Sequence, residues 1–134
     1  MKLSRTVAYA VQAAVQLASS DSKSPVPCSR LAADGRMPER FLLQILRSLV
    51  THGILRSTRG VDGGYTLTRP SSDISLLEVI EAIDGPLKGG ADFEVQLPAD
   101  SQEKLHAALE QVTATAREQL QAIKLSELIA PARA

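Results

Sequence analysis

This chain is poor in the residues that build disulfides, metal centres and aromatic platforms. Its 134 residues include one cysteine, two histidines, two tyrosines, two phenylalanines and no tryptophan. A lone cysteine cannot close an intrachain disulfide, so a reducing cytoplasm is the natural setting. The histidines and the thiol form no metal-spaced set, and no nucleophile–base pair stands out. The glycine-rich stretch at residues 60–64 lies between strand-like segments rather than opening a helix, so it does not read as a phosphate loop. These absences point away from an enzyme. No apolar run approaches the ~20 residues of a membrane span. Arg5, Gln12 and Gln16 interrupt the apolar residues near the start, so no signal peptide is expected either.

Net charge is missing overall, with 15 basic and 15 acidic residues, but it is unevenly divided. Residues 1–70 carry Lys2, Arg5, Lys23, Arg30, Arg36, Arg40, Arg47, Arg56, Arg59 and Arg69 against Asp21, Asp34, Glu39 and Asp62, a balance of +6. The remainder carries −6. A basic first half joined to an acidic second half suits a nucleic-acid-binding face with a separate interaction or sensing part.

Residues 29–67 organise what is present, reading SRLAADGRMPERFLLQILRSLVTHGILRSTRGVDGGYTL. Leu31 and Ala32 suit the buried face of a short helix, with Gly35 placed as its stop. Pro38 fits the first turn of the next helix, where its missing N–H costs no hydrogen bond. Phe41, Leu42, Ile45, Leu46 and Leu49 then recur at helical spacing, while Arg40, Gln44, Arg47 and Ser48 face another way. Gly53 ends that helix as a left-handed cap, with His52 at the helix end. Two helices joined so tightly, the second basic on its outer face, predict a helix-turn-helix. On the second helix Arg40, Gln44 and Arg47 are the base- or phosphate-reading candidates, with Glu39 and Leu43 beside them. Arginine matches guanine in bidentate fashion, glutamine matches adenine, and Leu43 suits a thymine methyl. Arg47, further along, suits a phosphate.

A hairpin follows. Leu55 and Ser57, then Tyr65 and Leu67, alternate like half-buried strands, and Gly60, Gly63 and Gly64 fall in the loop between them. Arg56 and Arg59 lie on one arm and at the loop tip, where arginine can enter a narrow minor groove. Helix-turn-helix and hairpin together predict a winged helix-turn-helix.

Elsewhere, residues 4–18 read as a helix with Val7, Val11, Ala14, Val15 and Ala18 as its apolar stripe, and residues 19–27 as a surface loop. Cys28, just before the next helix, is either an inert half-buried thiol or a redox thiol activated by the helix N-terminus and Arg30. Residues 71–73 form a turn, and Ser75 with Glu78 has the capping-box pattern. Leu76, Leu77, Val79, Ile80 and Ile83 make the buried face of the helix that follows, which Gly85 and Pro86 stop. Residues 88–101 read as a loop and residues 102–124 as a long amphipathic helix. Its Leu105, Leu109, Val112, Ala116, Leu120 and Ile123 repeat at steps of three and four. Such a helix needs a partner surface, either its mate in a homodimer or its own domain. Leu125, Leu128 and Ile129 are expected to fold back as a short terminal element.

The segments KLSRTVAYAV, MPERFLLQIL, RGVDGGYTLTRP, ISLLEVIEAIDGPL and LSELI together resemble the Rrf2 family of bacterial repressors, which includes regulators of the IscR, NsrR, RirA and CymR kind. The resemblance implies a mainly α fold with a small β-hairpin. Residues 1–87 would form a winged helix-turn-helix domain, 88–101 a loop, and 102–134 a dimerisation helix and tail. It implies double-stranded DNA and a second copy of the chain as partners, and a palindromic operator. It also brings Lys2, Ser4, Arg5 and Tyr9 to the DNA backbone, although Tyr9 packing on the wing is an equal reading. Pro38, Gly60, Gly63, Gly64 and Tyr65 complete the implied DNA-binding set.

One part of the family pattern is missing. Cluster-binding members carry three cysteines in the loop before the long helix, and alignment back from LSELI places those positions at Ala91, Leu97 and Glu103. His106 falls where some members use a histidine ligand, and the position of a carboxylate ligand in the first helix is Ala8. No iron–sulfur cluster is therefore expected, because a single histidine cannot replace three thiolates. The signal stays open between a small molecule, oxidation at Cys28, a protein effector, or none. The alternative in another class is a winged-helix docking module that does not bind DNA.

Overall fold

The computed structural model describes residues 1–20, 24–89 and 95–129. Helices α1 (Arg5–Ala18), α2 (Cys28–Gly35) and α3 (Glu39–Thr51) lead into strands β1 (Leu55–Thr58) and β2 (Gly64–Leu67). A 3₁₀ turn, Ser71–Asp73, precedes α4 (Leu76–Asp84) and α5 (Ala99–Ala122), and a second one, Leu125–Leu128, closes the described chain. This is a mainly α winged-helix fold with a two-stranded antiparallel hairpin and a long C-terminal helix.

Local chemistry sets most boundaries. Ser4 caps α1, its hydroxyl accepting the Val7 amide at 3.1 Å. Ser75 and Glu78 form the expected capping box, with Glu78 N–H donating to the Ser75 hydroxyl at 3.1 Å and Ser75 N–H to the Glu78 carboxylate at 2.8 Å. That exchange satisfies two otherwise orphaned amides at the start of α4. Gly53 takes φ +77° after α3, as its position predicts, and His52 Nδ1 lies 2.8 Å from the Ser48 carbonyl. The expected stop at Gly35 is corrected: the left-handed residue is Arg36, at φ 54°. Gly35 serves close packing instead, since a Cβ there would lie 2.6 Å from Gln12 Nε2, whose amide donates to the Gly35 carbonyl. Pro38 is the residue capping α3 rather than a member of its first turn. Cys28 is the first residue of α2 rather than its predecessor.

One core joins these elements. Ala10, Ala13, Ala14 and Leu17 of α1 pack with Leu31, Leu42, Leu46, Leu49, Leu55, Ile74 and Val79, all buried. The small alanines let α1 lie close against its neighbours. The buried face of α1 is therefore rotated from the expected stripe, with Val11, Val15 and Ala18 only half-buried. Each fully buried leucine of α3 contributes about 1.5–3 kcal/mol relative to exposure. Phe41 departs from its expected place, standing 41% exposed and meeting the Tyr9 ring edge-on with centroids 6.0 Å apart.

The described residues after α5 return to the main core. Leu125 is fully buried in the main core, Leu125 N–H donates to the Ile74 carbonyl at 2.9 Å, and Leu76 N–H to the Ile123 carbonyl at 2.8 Å. Helix α5 begins three residues before the expected 102, and Ile123 lies just past its end. Leu120 is buried with Val7, Leu77 and Ile80, so it serves its own subunit rather than an interface. Leu105 and Val112 remain exposed, at 36% and 65%. Among the described residues no helix is long and apolar enough to cross a membrane.

Candidate nucleic-acid interface

Three contacts draw the start of α1, helix α3 and the wing together. Tyr9 touches Phe41 at the start of α3. Cys28 Sγ lies 3.7 Å from the Glu39 carbonyl, joining the starts of α2 and α3. Tyr65 on β2 is held from the opposite side by Val26, through Val26 N–H to the Tyr65 carbonyl at 3.0 Å and Tyr65 N–H to the Val26 carbonyl at 2.9 Å. Burial pushes the Tyr65 phenol up, the Cys28 sulfur adds to this, and the Arg47 guanidinium opposes it, so the phenol stands within electrostatic reach of both α2 and α3. The root of the wing is thus fixed against the two preceding helices.

The hairpin pairs Leu55 with Leu67, Arg56 with Thr66, Ser57 with Tyr65 and Thr58 with Gly64. Gly64 is a strand residue, not a loop residue as expected. Its φ is +152°, and a Cβ there would lie 2.5 Å from the Val26 carbonyl oxygen and 2.6 Å from Pro27 N. The tip is closed by Gly63 N–H donating to the Gly60 carbonyl at 3.0 Å. Gly60, at φ +112°, has open space around its Cα.

On this framework Lys2, Arg5, Glu39, Arg40, Gln44, Arg47, Arg56 and Arg59 are all exposed, and Leu43 is half-buried beside them. Among the described residues the ion pairs join Arg30 to Asp34, Arg69 to Glu78, His106 to Glu110 and Arg117 to Glu81. Arg5, Arg40, Arg47, Arg56 and Arg59 take part in none of them. Cations left without carboxylates on neighbouring elements form an electropositive surface able to take phosphate oxygens. Two residues outside the sequence-derived set are exposed in the same two turns. Arg36 stands exposed between α2 and α3, and Val61 is fully exposed at the wing tip. The sequence signal for both was their position inside the two turns.

Burial pushes the Cys28 thiol up and the Glu39 carboxylate adds to that shift.

A family model described as Rrf2, iron-dependent transcriptional regulator, matches residues 3–131. The chain belongs to the Rrf2 family. A helix-turn-helix-type transcriptional regulator of Mycobacterium tuberculosis is 45% identical over 93 residues, covering 69% of this chain and 58% of that protein. The chain thus matches little more than half of that relative's length. CymR of Bacillus subtilis is 27% identical over 99 residues, covering 74% of this chain and 72% of CymR. Its structure superposes with a TM-score of 0.76 over 96% of this chain and 95% of that one, at 23% identity, which speaks for the fold. IscR from T. potens gives a TM-score of 0.72 at 26% identity, over 96% of this chain and 85% of that one.

The iron named for the Rrf2 family finds no matching thiolate set in this chain. The single cysteine lies in α2, with its sulfur against the Glu39 carbonyl. Of the aligned cysteine positions, Leu97 and Glu103 offer no sulfur, and Ala91 falls outside the described residues. His106 Nε2 is engaged with Glu110 at 3.0 Å. These side chains do not fit a cluster held by thiolates.

Proposed function

We propose that this Rrf2 protein is a DNA-binding transcriptional repressor that binds a palindromic operator as a homodimer, without an iron–sulfur cluster. Helix α3 enters the major groove through Arg40, Gln44, Leu43 and Arg47. The wing brings Arg56 and Arg59 to the adjacent minor groove, and Lys2, Arg5 and the amide end of α1 hold the backbone. The observation that carries this reading is the set of exposed arginines on α3 and the wing that have no carboxylate partner among the described residues. Residues 1–87 with the returning residues 123–129 serve as the DNA-binding unit. Helix α5 supplies the subunit contact through Leu105, Ala108, Val112 and Ala116, the last three lying among Gln111, Thr115 and Gln119 in a shallow groove of mixed polarity.

Titration of labelled duplex DNA across a salt series tests this directly. Affinity is expected to fall linearly on a log–log plot, and loss of one phosphate-binding arginine, as in Arg47→Ala, to reduce the slope by about 1. No retention on any duplex would overturn the proposal and favour the docking module.

A further inference from the structure

Helix α5 meets the rest of its subunit at several places along its length. Leu120 inserts among Val7, Leu77 and Ile80 near its C-terminal end. Gly89 lies against its middle, where a Cβ would stand 2.9 Å from both the Leu109 carbonyl and Thr113 Oγ1. Between these two, Arg117 reaches Glu81 on α4. The same Glu81 oxygen, Oε2, also accepts the Leu87 amide at 2.6 Å. One carboxylate oxygen therefore ties together α4, the segment leaving it and the dimer helix. Burial alone would raise the Glu81 carboxyl, but the Leu87 amide and the Arg117 guanidinium outweigh it and hold the group ionised.

Leu120 and the Leu76–Ile123 bond hold the C-terminal end of α5, and Gly89 brings the preceding segment close against its middle. The charged contact between these points adds a directional tie from α4 to the side of α5. We infer that Glu81 and Arg117 are positioning residues that fix the angle of α5 on the winged domain and so set the distance between the two recognition helices. The operator's half-site spacing is then specified by an ion pair far from the DNA. The inference rests on the proposed dimer, because in a two-fold assembly any swing of α5 moves the two α3 helices relative to each other. Half-site separation in such assemblies follows directly from that geometry.

The test uses the full chain and duplexes carrying two copies of the half-site recovered by selection, separated by spacers varied one base pair at a time. Wild type is expected to prefer one spacing over its neighbours by about tenfold, the scale of coupling within a single ion-pair network. Glu81→Gln, which keeps an acceptor for Leu87 N–H but loses the charge, should shrink that preference to within about threefold while remaining dimeric. Arg117→Gln should do the same with the Glu81–Leu87 bond left in place, covering the case in which the first variant folds poorly. Glu78→Gln is the control, since it removes a comparable α4–arginine pair that does not touch α5. Its stability should fall with its spacing preference unchanged. Both α5-clamp variants showing the wild-type preference would overturn the inference alone. A wild-type protein that is monomeric, or that binds no duplex, would instead remove the dimer reading and this inference with it.

Discussion

Replacing Gly64 with alanine tests how the wing is held. At this residue φ is +152°, and a Cβ would stand 2.5 Å from the Val26 carbonyl oxygen and 2.6 Å from Pro27 N. Both atoms are backbone and cannot rotate away, so β2 must move off Val26. That movement breaks the two bonds between Val26 and Tyr65. Two backbone hydrogen bonds at about 1 kcal/mol each, with about 1–2 kcal/mol of backbone strain, give a loss of about 3–4 kcal/mol. Gly60→Ala is the matched comparison, because φ there is +112° but nothing lies within 4 Å. It carries strain alone, about 1–2 kcal/mol. Urea unfolding followed by circular dichroism should place Gly64→Ala below Gly60→Ala by about 2 kcal/mol. DNA affinity should also fall in Gly64→Ala under conditions where the protein stays folded. Equal stabilities for the two variants would refute the claim that contact with Val26, rather than φ alone, demands glycine at 64.

Other substitutions probe separate links. Arg59→Ala should weaken operator binding by about 1–3 kcal/mol if the wing reads the groove, measured by fluorescence anisotropy against a wild-type control. Ser75→Ala removes the cap of α4 at a position that is only 2% exposed, and thermal unfolding should report a loss of about 1–2 kcal/mol. Acidification should destabilise the protein. Burial alone would raise the Glu78 carboxyl, yet the Ser75 amide and Arg69 outweigh it and hold the group below its ordinary 4.5. Glu81 is depressed in the same way, by Leu87 and Arg117. Stability from depressed carboxyls is fully present above 4.5 and is lost as pH falls through their lower folded values. The urea midpoint should therefore drop below pH 4.5, and the Glu78→Gln, Glu81→Gln double variant should flatten that drop.

Features set by near neighbours along the chain are legible in the amino-acid sequence itself. The Ser75–Glu78 box, the left-handed Gly53 and the strand pairing around the wing each depend on residues a few positions apart. Features set by distant parts of the chain are not. Gly35 and Arg36 compete for one helix end, and the side chains of Gln12 and Gln16, from another helix, crowd Gly35 together with Met37, so that glycine there serves space rather than backbone conformation. Phe41 shares the period of the buried leucines, but Tyr9 gives it a partner at the surface. The stripe on α5 shows the same limit. Periodicity groups Leu105, Val112 and Leu120 together, yet the fold buries Leu120 in its own subunit and leaves the other two outside. The arginine set is legible because exposure follows from charge. That these arginines lack carboxylate partners among the described residues depends on how the elements are arranged in space, which residue spacing does not encode.

The most direct test of the central claim, that α3 and the wing read DNA as a two-fold pair, is selection of bound duplexes from a random pool by the purified chain. Recovery of an inverted repeat, with half-sites about one helical turn apart, is the expected result. Recovery of single, unpaired sites would contradict the dimer, and enrichment of no sequence at all would contradict the assignment of this surface to DNA.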